Sequence, residues 1–157
     1  MTSRSLGILQ LVSPALPVGA FSYSEGLEWL VQNRQIINKS SLYDWLSAEL
    51  LRGQIRLEAA SQTYIRTAFE DCQTYKDQKS FFIIQEWDSW LLALRDSVEL
   101  RKQYKQMGKS LIDLLEKLGF SLPSDLKDLS WPLAWGWAGI AWDLSEIEVT
   151  QGYLYSW

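Results

Sequence analysis

Apolar residues recur along this chain at intervals of three and four, the repeat of α-helices that each bury one face. Ile8, Leu9, Leu11 and Val12 share a broad face between Leu6 and Val12. Pro14 and Pro17 end that helix, because proline lacks the N–H a helix needs and clashes with the turn before it. Ser22 or Ser24 predicts the cap of a second helix to about Asn33, with Leu27, Leu30 and Val31 at helical spacing. A third opens at Ser40 or Ser41, where Ser41 to Asp44 approximates a capping box; its apolar positions are Leu42, Trp45, Leu46 and Leu50. Gly53 is a break or a weak point. Gln54 to about Cys72 continues as helix, with Leu57, Ala60, Tyr64, Ala68 and Phe69 as its stripe.

Ser80 to Leu94 is the most apolar of the long helices. From Arg95 the pattern becomes strongly charged, with Val98, Leu100, Met107, Leu111, Leu114, Leu115 and Leu118 apolar and Gly119 a natural terminator. Pro123 marks a loop. Pro132 suits the first turn of a helix whose Trp131, Trp135 and Trp142 lie on related faces. Ser145-Glu146-Ile147-Glu148 is a capping box for a last helix to the terminus. No strand-like alternation occurs. The expectation is an all-α fold: one domain over residues 1–157, a single-domain helical bundle of about seven or eight helices.

The composition narrows the chemistry. Net charge is −4, and no tract of Lys and Arg forms a nucleic-acid footprint. The single Cys72 excludes an internal disulfide and a Cys-rich metal site. The absence of histidine removes Ser-His-Asp and Cys-His catalysis and the usual His-ligated zinc or nickel sites. No metal or cofactor is therefore expected. The nine tryptophans exceed the needs of a small core, so most are assigned inside and some to a surface that meets another protein.

The N-terminus resembles a signal peptide, with Arg4 ahead of an uncharged run and Val18-Gly19-Ala20 like a cleavage site. The apolar stretch Leu6 to Val12 is too short, Pro14 and Pro17 interrupt the residues after it, and nothing later suits export. The expectation is a cytoplasmic protein. The uncharged run Leu129 to Trp142 falls short of the about 20 residues a bilayer span needs, so it reads as a buried helix and no membrane partner is expected.

Three features could carry chemistry. Gly108-Lys109-Ser110 matches the tail of a phosphate-binding loop, but Gln103 stands where the motif needs glycine, and the surroundings are helical. A small residue allowing close helix packing is the better reading. Glu25 and Glu28 share a helix face and could support acid–base work only in a pocket that raised a pKa. Arg95, Arg101, Lys102, Lys105 and Lys109, interleaved with Asp96 and Glu99, read as a solvated face or, more sharply, a protein-docking surface.

The stretch from Ile8 to Glu28, with SPALPVGAFSYSEG at its centre, resembles the N-terminal signature of the urease accessory protein UreF family. Arg95 to Arg101 followed by Gln106-Met107-Gly108 is similar to that family's R-x-S-x-E-L-R…Q-M-G helix. Trp135-Gly136 and the terminal Gly152-Tyr153-Leu154-Tyr155-Ser156-Trp157 give a third block. The resemblance implies a non-catalytic, all-helical assembly factor that dimerises. It would act with a UreD/UreH-type scaffold protein and a UreG-type GTPase to deliver nickel to apo-urease. A GTPase-regulating role, with Arg95 or Arg101 supplied to the partner's nucleotide site, is the alternative. Against the family pattern the sequence ends at Trp157, short of a further helix and a Gly-Gln-Thr-rich tail that contributes to scaffold docking.

The partner-binding candidates are Ser22, Tyr23, Glu25, Gly26 and Glu28 from the first block, and Arg95, Glu99, Arg101 and Gln106 from the second. In the first, two prolines restrict the loop and lower the entropy lost on docking, and aromatic side chains supply rigid contact area. Phe21 is expected inward, with Tyr23 and Glu25 available outward.

Overall fold

The computed structural model describes residues 3–19 and 26–157, with side chains from Leu6 onward. Eight α-helices make up an all-α bundle, with no strand among the described residues: α1 (Ser3–Leu11), α2 (Leu27–Gln32), α3 (Lys39–Arg52), α4 (Gln54–Tyr75), α5 (Gln78–Ala93), α6 (Val98–Lys117), α7 (Trp131–Ala141) and α8 (Glu146–Ser156). A 3-10 turn, Ser124–Leu126, joins α6 to α7.

α7 is the axis of the bundle and packs on α4, α5, α6 and α8. Every residue from Trp131 to Gly139 is buried, as an uncharged helix requires. Trp135 is fully enclosed; its indole N–H donates to the Val149 carbonyl at 3.0 Å, and its ring meets Tyr153 edge-on at 5.4 Å. α6 approaches α7 closely because residue 108 is glycine: a Cβ there would run into the Leu129 carbonyl. Close packing, not phosphate binding, accounts for the Gly-Lys-Ser run.

The helix ends show where local signals sufficed. Ser145 and Glu148 form the expected reciprocal cap on α8. Gly53 is a true break, ending α3 and starting α4 in one residue. Gly119 takes the expected left-handed turn after α6. Elsewhere the expected start needs correction. α3 is capped by Asn38, whose side chain accepts from the Ser41 N–H at 3.0 Å, so Ser41 is the box's partner and not its cap. Asp77 caps α5, accepting from the Ser80 N–H at 2.8 Å and hydroxyl at 2.6 Å. The Ser80 hydrogen bonds hold the Asp77 carboxyl below its ordinary pKa. α6 begins only at Val98, behind a Ser97 cap, and leaves Arg95 to Ser97 outside the helix.

The stripe expected on α4 is also corrected. Its inward face is Ile55, Glu58, Ala59, Gln62, Ile65, Phe69 and Cys72, whereas Leu57 and Tyr64 point out. Three polar residues, Glu58, Ser61 and Gln62, hold inward positions and displaced the expected stripe, of which Ala68 and Phe69 are buried as expected. On α6, likewise, Gln103 and Tyr104 are buried while Val98 and Leu118 are exposed.

Candidate partner-binding groove

The inward turn of α4 explains the first buried charge. Glu58 is completely buried, and Arg95, only 5% exposed, reaches it from the α5–α6 turn to form an ion pair. The Tyr153 hydroxyl of α8 donates to the other Glu58 oxygen at 2.6 Å. The Arg95 guanidinium also lies 3.9 Å above the Tyr104 ring. The Glu58 carboxylate thus ties α4 and α8 to the turn before α6, and Arg95 of that turn lies on α6 through Tyr104. That turn is further held by Gln54, whose amide donates to the Leu94 carbonyl at 2.5 Å, and by Arg101, whose Nε donates to the Arg95 carbonyl at 3.0 Å.

This braced turn forms one wall of an open cavity of about 890 Å³. The opposite walls are α2 and α3, and Trp157 closes one end by stacking on Trp45 at 5.7 Å between ring centres. Trp29, Leu30, Ile55 and Leu100 complete the apolar lining. Glu28, Glu49 and Asp96 line it with carboxylates, and among the described lining residues Arg52 is the one accessible cation, since Arg95 is committed to Glu58.

The sequence-derived candidates divide accordingly. Ser22, Tyr23 and Glu25, with the expected inward Phe21, lie outside the described residues. Gly26 caps α2 with φ 90° and lines the cavity beside Glu28. Arg95 lines the same cavity but is turned inward. Glu99, Arg101 and Gln106 are exposed on α6. The backbone N–H at the helix start and the Ser97 hydroxyl hold the Glu99 carboxyl below its usual range. The sequence reading missed Glu49, Asp96 and Trp157 as lining residues, and Glu58 and Tyr153 as the brace. The one available signal was Glu58 itself, a carboxylate three residues past apolar Ile55 and one before Ala59.

Burial, reinforced by Asp77, pushes the Cys72 thiol above its ordinary pKa. Among the described residues no group of three or more His, Cys, Asp or Glu side chains could hold a metal ion, and no helix is long and apolar enough to cross a membrane.

Fold and site together define an all-helical protein with an aromatic, acid-lined groove on one flank. The chain belongs to the UreF family, whose model matches residues 36–157. It is 39% identical over 149 residues to the urease accessory protein UreF of Prochlorococcus marinus, covering 94% of this chain and 65% of that one. The namesake of Microcystis aeruginosa is 42% identical over 152 residues, with 97% and 66% covered. That of Nostoc sp. is 41% identical over 158 residues, with 97% and 65% covered. The chain therefore spans just under two thirds of the length of these relatives.

Proposed function

We propose that this chain is a urease maturation factor. It is a non-catalytic, cytoplasmic assembly protein that bridges a UreD/UreH-type scaffold and a UreG-type GTPase and so promotes nickel insertion into apo-urease, acting as a homodimer. The observation that carries the reading is its membership of the UreF family, together with relatives about two fifths identical that are named urease accessory proteins. Its side chains agree with an organising role. Nickel favours imidazole or thiolate, and this chain has no histidine and one cysteine, buried and with its thiol pKa raised by that burial. The metal is cargo for its partners.

The test is complementation. A urease-positive bacterium lacking its own UreF is supplied with this chain, and urease activity and urease-bound nickel are measured. Recovery of both supports the proposal; co-purification of neither scaffold nor GTPase, with no recovery, refutes it. The GTPase-regulating alternative finds its accessible arginine in Arg101, exposed at the start of α6, because the Arg95 guanidinium is occupied by Glu58. Faster GTP turnover by the partner with this chain, lost in Arg101→Ala, would favour it.

A further inference from the structure

Neither α2 nor α3 contains a single buried residue. Yet α3 carries Leu42, Trp45, Leu46 and Leu50 at the spacing of a helix face that packs against something. Trp29 of α2 is exposed and lines the groove with Trp45 of α3, while Leu46, Leu50, Leu51 and Val31 are exposed on the same two helices outside its lining. Exposed apolar surface rimmed by polar groups marks a site of interaction.

The charges say what kind. Some cations outside the groove find carboxylates within the chain: Lys105 bonds Asp88 at 2.8 Å, Lys127 bonds Glu116 at 2.6 Å and Arg66 bonds Glu70 at 2.7 Å. Glu28, Glu49 and Asp96 stand on three different walls of the groove, and none is in an ion pair among the described residues. They face a lining of three tryptophans, the aromatic face that best receives a cation.

We propose that this groove receives a cationic amphipathic helix of a partner protein, its apolar side chains on Trp29, Trp45 and Leu100 and its lysines or arginines toward Glu28, Glu49 and Asp96. This rests on the reading of the chain as an assembly protein and names the chemistry of what it assembles. Helix-in-groove recognition supplies the contact area, and the carboxylates set orientation and partner choice. A second copy joined about a two-fold axis would bring the same acidic rim against itself, and an anionic membrane surface carries the same sign.

The test uses the whole chain and a labelled 18-residue Leu/Lys peptide patterned as an amphipathic helix, with a Leu/Glu peptide of identical apolar pattern as comparison. Fluorescence anisotropy should show binding of the Lys peptide alone. Glu28→Gln/Glu49→Gln should weaken it about tenfold, as loss of complementary charge does. Asp71→Asn/Asp113→Asn, an equal charge change at exposed positions far along α4 and α6, should alter it less than about twofold. Circular dichroism and melting curves confirm that each variant folds. Equal binding of both peptides, equal weakening by both double variants, or no binding at all overturns the proposal. So does a dimer of this chain that Trp29→Glu dissociates. Displacement of the Lys peptide by peptides from the unmatched third of the Microcystis relative overturns it too, because the occupant is then a segment of the family's own chain. Urease recovery in cells separates the two readings. Recovery undiminished by the Glu28/Glu49 variant, with no peptide bound, sinks the groove and leaves the maturation role. Specific peptide binding without any recovery does the reverse.

Discussion

α7 and α3 draw on the same residue types and end in opposite situations. α7 holds Trp131, Trp135 and Trp137 with nine consecutive buried residues; α3 holds Tyr43, Trp45 and four leucines with none. The difference lies in charge and in neighbours. α7 has no charged residue, and four helices close round it. α3 places Lys39, Asp44, Glu49 and Arg52 among its apolar positions and meets the bundle chiefly through α4. Aromatic content alone therefore does not locate a core. One helix completes the fold, and the other offers a surface.

The largest expected effect lies on the α7 side. Trp135→Ala removes a fully enclosed ring and its hydrogen bond to Val149, and should cost about 3–5 kcal/mol. Thermal melting should register it as a Tm lowered by roughly 10 °C. A loss below about 1 kcal/mol would show that α7 is not the packing axis.

Next comes the brace between the two regions. Glu58→Gln leaves the Arg95 guanidinium buried without its counter-charge, a loss of about 3 kcal/mol. The double change Glu58→Leu/Arg95→Leu removes both charges and should be milder than the single one. Urea melts of the three proteins check this. A double variant less stable than Glu58→Gln would mean that the unpaired guanidinium is not what the single change costs.

A smaller effect belongs to the cap of α5. Asp77 is held below its ordinary pKa by Ser80, so its stabilising contribution is present above the unfolded carboxylate value of about 3.9 and fades as pH falls through the depressed folded one. Asp77→Ala should therefore lower Tm by a few degrees at pH 7, with the gap from the parent narrowing below about pH 4. A gap that grows on acidification would reverse the assignment.

The same division separates the legible from the hidden in the sequence. Helix number, the Gly53 break, the α8 cap and the close approach at Gly108 rest on short-range signals, and the structure agrees with them. The family signature was readable too, as contiguous blocks such as Ser13 to Gly26 and Arg95 to Arg101. The inward face of α4 was not, because Glu58 and Gln62 are buried by partners far along the chain, Tyr153 and the carbonyl of Pro132. Arg95 read as a surface cation for the same reason: its partner lies 37 residues back, as the numbering shows. The groove was equally hidden, since Glu28, Glu49, Asp96 and Trp157 come together only when four elements meet.

The smallest expected effect sharpens the comparison most. Trp29 is 56% exposed on a six-residue helix with no buried residue. Trp29→Ala should change stability by no more than about 0.5 kcal/mol, against the several lost at Trp135 for the same chemical change. The two variants, melted side by side, isolate where a tryptophan sits from what a tryptophan is. If Trp29→Ala unfolds the protein as readily as Trp135→Ala, the α2–α3 flank is core after all. If the melting curve is unmoved while the Lys peptide is released, the ring serves a surface outside the fold.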